Sequence, residues 1–387
     1  MSGGLVEDRI SVLHIITRLD PGGSAENTLL ACHHLAARGW DAGLASGPGW
    51  TGRDAEAGGV DLPVTLIPQL RRDPSPLADL RALWQIYRLL RRERPDVLHT
   101  HSAKAGILGR WAGFFAGVKH IVHTPHGHVL YGYARGPRNW AYLLAERMTA
   151  PITHRLVALS EGERRESAAA RIGTLERWVV IPSGVDLTGI EPRVRLPQPS
   201  APLRVGVVAR LEHVKGVDVL VEASAMLAAS GAPPFEVLVW GEGREQEALV
   251  ALSQRLGTAG LVRFVGTAEP VARFLDGLDV YAQPSRNEGM GRALVLAQGA
   301  GLPIVASRVC GIPDVVRDGE TGILVEPGDP AALAAGLERL LADPGRRDRY
   351  AAAARSWVLS DDETGFPRFS VEAMLWRLEG LYRRLAG

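Results

Sequence analysis

The chain has 387 residues, of which 46% are hydrophobic and 22% are charged, and its formal net charge is +1. This length exceeds the size at which one hydrophobic core usually stops growing, so we expect two folded domains. The small net charge argues against a general polyanion-binding protein, and no nucleic-acid partner is expected. Cys32 and Cys310 lie far apart and outside any C-x-x-C spacing. They support neither a disulfide framework nor a thiolate metal site, and they fit a reducing cytoplasm.

The N-terminal segment has no predicted signal peptide, because Glu7 and Asp8 precede the first apolar run and His14 interrupts it. No stretch approaches the roughly 20 apolar residues that a membrane-spanning helix needs. We therefore expect a cytoplasmic protein whose membrane contact is peripheral, at the inner face of the cell membrane.

Short β-branched runs alternate with helical patterns in the first half of the chain, which predicts parallel strands joined by crossover helices. The series closes at 179–181, and the prolines that follow, up to Pro202, stand in a stretch with little periodicity. The sequence therefore predicts an N-terminal domain over residues 1–182 and a linker over 183–202. The predicted strands are Val12–Thr17, Ala42–Ala45, Val64–Ile67, Val97–Thr100, His120–His123 and Leu156–Ala158.

A second α/β series predicts a C-terminal domain over residues 203–365. The last segment, 366–387, has apolar residues at helical spacing over Val371–Leu385, and we expect this helix to pack back towards the N-terminal domain. Open parallel sheets bind ligands beyond the carboxyl ends of their strands, so two facing sheets would hold a ligand between them. The predicted elements are strands Arg204–Val208, Glu236–Trp240, Val262–Val265, Asp279–Gln283 and Pro303–Ala306 and helices Val217–Ala229, Arg244–Leu256 and Ala293–Ala300.

A glycine-containing corner at 284–291 joins a predicted strand to a predicted helix. Gly289 and Gly291 let backbone amides approach a ligand, and the amino end of the following helix favours a phosphate. Glu288 would accept hydrogen bonds from hydroxyl groups, which indicates a sugar beside the phosphate. A plain strand-to-helix loop is the alternative interpretation, because glycines are common in turns.

Two other turns carry residues suited to anions. Arg210 and Lys215 follow the first strand of the second series and can flank a diphosphate, although a solvated basic turn is the alternative. Gly22 and Gly23 open the first helix and can bring amides to a charged group. The Gly-Glu-Gly at 241–243 departs from the dinucleotide fingerprint and favours an oxidoreductase only weakly.

Histidines concentrate at two predicted strand ends, 99–101 and 123–128. A zinc site could be drawn from this spacing, but no cysteine or clear carboxylate accompanies it. The alternative is one imidazole that donates a hydrogen bond to a substrate while the others are satisfied within the fold. Because the sequence also has no Asp-x-Asp to hold a metal-diphosphate complex, we expect a metal-independent site without a cofactor.

Taken together, these elements resemble the retaining family-4 glycosyltransferases of GT-B fold, especially bacterial enzymes of exopolysaccharide, capsule or glycolipid synthesis. The resemblance covers nearly the whole chain and implies an α/β protein with two facing Rossmann-like domains and an interdomain cleft. It also implies retaining transfer from a nucleotide sugar, with a UDP-sugar favoured and GDP-mannose as the alternative, to a lipid-linked or saccharide acceptor. The residues that carry it are Gly22-Gly23, 101–106, His126-Gly127, Arg210, Lys215-Gly216, 288–291 and 301–306.

The resemblance also assigns roles to individual residues. Arg210 and Lys215 would hold the donor diphosphate. Glu288 and the amides of Met290 and Gly291 would face the donor sugar, and His126 would lie over that sugar from the N-terminal domain. Gly23 would close the diphosphate site, and Gly22 would be a donor contact beside it. Further donor contacts would come from Gly289, Met290, Gly291, Arg292, Ala293, Leu294 and Leu296, and acceptor contacts from His101, Lys104 and Tyr131.

One position departs from the family pattern. The family usually has a second glutamate eight positions after the first, on the ribose hydroxyls, and this chain has Leu296 there. The donor site would then be weaker, compensated by another contact, or inactive. Gln298 is a doubtful substitute, because helix geometry turns it by about 200° from Leu296. The competing functions are therefore a degenerate nucleotide-sugar binding protein and a GT-B epimerase, which would need an acid–base pair that the sequence does not identify.

Basic and aromatic residues between 71 and 147 could form a surface that binds a membrane. Cations attract anionic headgroups and aromatic rings settle at the interface, so peripheral binding is predicted. A solvated arginine face beside a buried aromatic helix is the alternative. The arginines are Arg71, Arg72, Arg81, Arg88, Arg91, Arg92, Arg94, Arg135, Arg138 and Arg147, and the aromatic residues are Tyr131, Tyr133, Trp140 and Tyr142.

Overall fold

The computed structural model describes residues 9–20, 22–49, 62, 64–127, 130, 137–190 and 201–387. Tyr131 and residues 191–200 of the predicted linker lie outside the described residues. The described chain divides into two compact units. One comprises residues 9–127 and 137–184 together with Val371–Gly387, and the other comprises Val185–Ser370.

The N-terminal unit contains a parallel sheet of seven strands in the order β3-β2-β1-β4-β5-β6-β7. Its central strands are buried on both faces, as is usual in parallel sheets. The strands are β1 (Ser11–Ile16), β2 (Asp41–Ser46), β3 (Val64–Leu66), β4 (Val97–His101), β5 (His120–Thr124), β6 (Arg155–Ala158) and β7 (Trp178–Val180). The helices are α1 (Gly23–Ala37), α2 (Pro76–Glu93), α3 (Ala103–Ala116), α4 (Pro137–Thr149) and α5 (Glu161–Ala169).

The second unit contains a parallel sheet of six strands in the order β10-β9-β8-β11-β12-β13. The reversal at β8 and β11 brings the turns after these two strands to one edge of the sheet. The strands are β8 (Leu203–Val208), β9 (Phe235–Trp240), β10 (Val262–Gly266), β11 (Val280–Gln283), β12 (Ile304–Ser307) and β13 (Gly322–Val325). The helices are α6 (Val217–Ser230), α7 (Gln246–Arg255), α8 (Val271–Asp276), α9 (Arg292–Gly299), α10 (Ile312–Val315), α11 (Pro330–Ala342) and α12 (Pro344–Leu359).

The last helix, α13 (Val371–Ala386), packs in the N-terminal unit. Its buried face, with Met374, Leu378 and Tyr382, joins the apolar cluster around Val12 and Val97. Among the described residues, no helix is both long enough and apolar enough to cross a membrane.

Candidate functional site

The glycine corner connects β11 to α9, as the sequence predicts. Gly291 caps α9 in the left-handed region at φ 86°, a conformation that favours glycine. Met290 and Leu294 are buried beside it and anchor the turn to the core. The amides at the start of α9 have no side-chain cap, so this end of the helix suits an anion.

Glu288 forms an ion pair with Lys215 at the centre of this corner. Lys215 Nζ lies 2.7 Å from Glu288 Oε2, and the two side chains are 19% and 14% exposed. The same oxygen accepts hydrogen bonds from Ser285 Oγ at 3.2 Å and from Gln283 Nε2 at 3.4 Å. The structure thus brings together a cation and a carboxylate that are 73 positions apart in the sequence.

The turn after β8 and the turn after β11 are held together by backbone and side-chain contacts. The amide of Arg286 donates to the carbonyl of Val214 at 2.8 Å. The guanidinium of Arg286 forms a bidentate pair with Asp218 at 2.7 and 2.6 Å. Although burial raises the pKa of Asp218, the hydrogen bond and charge of Arg286 hold it below its ordinary value. The pair fixes the approach of Lys215 to Glu288.

Gly216 allows the two turns to approach this closely. It adopts φ 65°, and a Cβ atom there would overlap the carbonyl oxygen of Pro284. Arg210, in contrast, is 65% exposed and lies 3.5 Å from Glu212. Its guanidinium is therefore available to a ligand at the end of β8.

Three histidines form a hydrogen-bonded chain in the N-terminal unit. His14 Nδ1 lies 2.9 Å from His101 Nε2, and His101 Nδ1 lies 2.9 Å from His126 Nε2. His14 and His101 are buried, and His126 is partly exposed at the end of β5. Burial lowers the pKa of His14 to about 3 and holds that of His101 well below its ordinary value. Both rings are therefore neutral at physiological pH.

The nitrogens of His14, His99 and His101 lie within 4.8 Å of one another, close enough to be considered as metal ligands. His99 is, however, bonded through one nitrogen to Thr124 Oγ1 at 2.8 Å and through the other to the hydroxyl of Tyr382. His14 and His101 are bonded to each other. We therefore assign these rings to a hydrogen-bond network.

Glu163 is a buried carboxylate that was not among the predicted site residues. One oxygen accepts the amide of Gly127 at 3.0 Å, and the other accepts the amide of Leu159 at 2.7 Å. These bonds tie the turn that carries His126 to the start of α5. The capping box of Ser160 with Glu163 was a sequence signal for the helix start but not for this contact.

Two family models match the chain. The one for "Glycosyl transferase 4-like domain" matches residues 22–184, and the one for "Glycosyl transferases group 1" matches residues 191–357. The UDP-Gal:alpha-D-GlcNAc-diphosphoundecaprenol alpha-1,3-galactosyltransferase of Escherichia coli is 30% identical over 287 residues, which are 72% of this chain and 74% of that protein. The chain belongs to the group 1 glycosyltransferases.

The D-inositol 3-phosphate glycosyltransferase of Thermomonospora curvata is 34% identical to this glycosyltransferase over 285 residues. The match includes 67% of this chain and 66% of that protein, so the chain spans slightly less than two thirds of that relative.

Solved structures of other proteins share the fold of the glycosyltransferase. Anabaena Alr3699/HepE in complex with UDP and glucose has a TM-score of 0.76 at 21% identity and covers 97% of this chain and 100% of its own. Sucrose-phosphate synthase from Thermosynechococcus elongatus has a TM-score of 0.77 at 22% identity. The match covers 97% of this chain and 99% of that protein. The two parallel sheets and these neighbours confirm the predicted GT-B fold class.

In the glycosyltransferase, Leu296 is half-buried on α9 and carries no hydrogen-bonding group. Gln298 is fully buried, and its Nε2 donates to the carbonyl of Val315 at 3.1 Å. Gln298 is therefore engaged within the core and does not replace the glutamate that the family has at 296. Arg292 and Ala293 are partly exposed in the first turn of α9, where their predicted donor contacts stay a prediction.

The predicted acceptor residues of the glycosyltransferase occupy different surroundings. Lys104 is bound to Asp79 at 2.7 Å, which ties the start of α3 to α2. His101 is buried with both nitrogens bonded to other histidines, which argues against a direct acceptor contact and places it behind His126. At the predicted diphosphate turn, Gly23 begins α1, and the space beside Gly22 is open.

Proposed function

We propose that this glycosyltransferase transfers a sugar from a nucleotide diphosphate sugar to a lipid-linked or saccharide acceptor, with retention of configuration. The observation that carries the proposal is the contact of Lys215 with Glu288 beside the amino end of α9. Lys215 and the amino end of α9 would stabilise the diphosphate, and Glu288 with the amides of Met290 and Gly291 would face the donor sugar. Arg210 would add a second cation.

A UDP-sugar is the favoured donor, and GDP-mannose is the alternative. The Escherichia coli relative is named for UDP-Gal and a diphosphoundecaprenol acceptor, which supports a uridine donor and a lipid-linked acceptor here. We place the reaction in cell-surface polysaccharide or glycolipid synthesis for the same reason. By the family resemblance, His126 would donate a hydrogen bond to the donor sugar.

The proposed transfer proceeds on one face of the sugar. The bond from the acceptor oxygen to the anomeric carbon forms as the bond to the phosphate oxygen breaks, and the acceptor proton passes to the leaving phosphate. A double displacement would need a second carboxylate about 5 Å from the first. The sequence identifies no second carboxylate suited to such a pair, which favours the single-face route. Lys215 and Arg210 would supply the positive charge that a metal supplies elsewhere, so we propose no metal and no cofactor.

A transfer assay with UDP-hexoses and GDP-mannose, using saccharide-diphosphate-polyprenol acceptors, tests this proposal. We expect α-linked product from an α-linked donor by proton NMR, and an unchanged rate after EDTA treatment. A β-linked product would contradict retention, and loss of activity in EDTA would contradict metal independence.

Leu296 favours a second candidate, a degenerate protein that binds nucleotide sugars without transfer. The substitution Leu296→Glu distinguishes the two, because it restores an acceptor for the ribose hydroxyls. If the rest of the donor site is intact, UDP should bind about tenfold more tightly, as expected for a hydrogen bond to a charged group worth about 1.5–3 kcal/mol. Titration calorimetry measures this change, and the neutral Leu296→Gln variant should gain less.

Weaker binding by a folded Leu296→Glu variant would mean that the leucine packs against the donor. The donor would then be held in a way that the family pattern does not describe.

We further propose that the face formed by α2 and α3 associates with an anionic membrane surface. Trp84 is 57% exposed, Leu80 64% and Phe115 60%, and they line an open apolar groove of 680 Å³ with Leu83 and Tyr87. Exposed arginines flank it, and the guanidinium of Arg88 lies 4.7 Å from the Trp84 ring centroid. An apolar groove with a cationic border fits acyl chains below anionic headgroups.

Joint reversal of Arg88, Arg91 and Arg92 to glutamate should reduce sedimentation with vesicles that contain anionic lipid, because each cation near such a surface contributes about 1 kcal/mol. The matched control replaces three arginines of the other unit by glutamate. They are exposed as well and are Arg263, Arg273 and Arg349. Equal loss in both variants would show only a net-charge effect and would count against this face.

A further inference from the structure

In the chain of hydrogen bonds that links His14, His101 and His126, each bond has a donor ring and an acceptor ring, and the two bonds must run in the same direction. A neutral imidazole has one N–H donor and one acceptor nitrogen. His101 is neutral and uses both nitrogens, one towards His14 and one towards His126. It therefore donates to one neighbour and accepts from the other. His14 Nδ1 either donates to His101 Nε2 or accepts from it. The direction of this bond determines which nitrogen carries the proton in His101 and His126.

The outer nitrogen of His14 decides between the two directions. His14 Nε2 is buried and has no hydrogen-bond partner among the described residues. If His14 accepted from His101, its proton would lie on Nε2 as a buried donor without an acceptor. If His14 donates through Nδ1, Nε2 keeps only an unused lone pair. Buried N–H groups without acceptors are rarer in proteins than acceptors that lack a donor, which favours donation from His14 to His101.

We infer that His14 and His101 are positioning residues that hold His126 in the tautomer with its proton on Nδ1. His14 donates to His101 Nε2, and His101 donates through Nδ1 to His126 Nε2, so the remaining proton of a neutral His126 lies on Nδ1. His126 is thereby a neutral hydrogen-bond donor of fixed orientation. Its role towards the sugar rests on the proposed function, but its tautomer does not.

The backbone around His126 agrees with a positioned ring. His126 adopts φ 60°, a left-handed conformation that is uncommon for a residue other than glycine. Such conformations persist where the surrounding structure enforces them, and they concentrate at functional sites. The next amide, of Gly127, is bound by the buried carboxylate of Glu163.

Nitrogen-15 NMR of the imidazole rings tests the tautomer directly. The signals of His126 are assigned by their loss in His126→Gln. In the wild-type protein we expect a protonated Nδ1 and an acceptor Nε2 for His126. In His101→Leu this preference should disappear. A proton on Nε2 in the wild type, or an unchanged preference in His101→Leu, would overturn the inference, and the wild-type spectrum decides even if the variant does not fold.

A matched pair of variants tests the consequence for catalysis. His14→Leu should lower kcat about tenfold, equivalent to about 1.4 kcal/mol, with little change in the KM for the donor. His14→Asn retains an N–H group near the position of Nδ1 and should recover most of the rate. The control is His99→Leu, which removes a neighbouring buried imidazole that bonds to Tyr382 and Thr124 and is not one of the three linked histidines. It should leave the His126 tautomer unchanged.

The two measurements separate the inference from the proposed function. If the tautomer is as expected but the protein transfers no sugar, the proposed function fails and the positioning role stands. If the protein transfers sugar but His14→Leu and His99→Leu reduce kcat equally, the positioning role fails and the proposed function stands.

Discussion

Replacing Lys215 by alanine is expected to weaken UDP binding by at least about tenfold. The ammonium group contacts Glu288 at 2.7 Å and is only 19% exposed, so a diphosphate at this corner would lose a charge-assisted contact of about 1.5–3 kcal/mol. The variant should fold, because Glu288 keeps its bonds to Ser285 and Gln283. Titration calorimetry with UDP measures the change.

The control for this variant is Lys119→Ala. Lys119 lies in the N-terminal unit, where its side chain is 76% exposed and is 3.8 Å from Asp96. Its replacement should therefore leave UDP affinity unchanged. Arg210→Ala should also bind UDP about tenfold more weakly. If both Lys215→Ala and Arg210→Ala bound UDP as the wild type does, the diphosphate would have to lie elsewhere.

Replacing Gly216 by alanine is expected to destabilise the second unit. The left-handed backbone costs a residue with a Cβ atom about 1–2 kcal/mol. The overlap with the carbonyl oxygen of Pro284 adds about 1–3 kcal/mol, as overpacking usually does. Because this overlap separates the turns that carry Lys215 and Glu288, UDP binding should weaken as well.

Gly231→Ala is the matched control, since Gly231 has a similar φ of 78° and nothing lies within 4 Å of the added Cβ. Gly231→Ala should therefore lose only the stability that the left-handed backbone costs, without any overlap. The melting temperature of Gly216→Ala should be at least about 2–4 °C below that of Gly231→Ala, the shift expected per kcal/mol for a domain of this size. Equal melting temperatures would show that the turn tolerates a side chain and that its close approach is not required.

The sequence predicts the α/β architecture well, because buried parallel strands leave strong β-branched runs. The predicted strand Arg204–Val208 is found as Leu203–Val208, and the predicted helix Val217–Ala229 as Val217–Ser230. Helices α11 and α12 were not among the predicted elements, although each has an Asp-Pro start. Asp329 and Asp343 cap these helices with their side chains, a signal that the sequence carries.

The site was predicted in its parts but not in its contacts. The glycine corner and Lys215 follow from local patterns, but their meeting depends on β8 and β11 being neighbours in the sheet. The histidine chain depends in the same way on the order β1-β4-β5, which brings His14, His101 and His126 together. Such pairings come from tertiary topology, which local periodicity does not encode.

The most direct test of the central claim is a thermal-shift comparison of UDP, GDP, ADP and their sugars with the corresponding monophosphates. A ligand that binds only the folded state raises the melting temperature according to its affinity. If the corner at Lys215, Glu288 and α9 recognises a diphosphate, UDP should stabilise the wild-type protein clearly more than UMP does. If none of the diphosphates or nucleotide sugars raises the melting temperature, the claim that this corner is a nucleotide-sugar site is wrong.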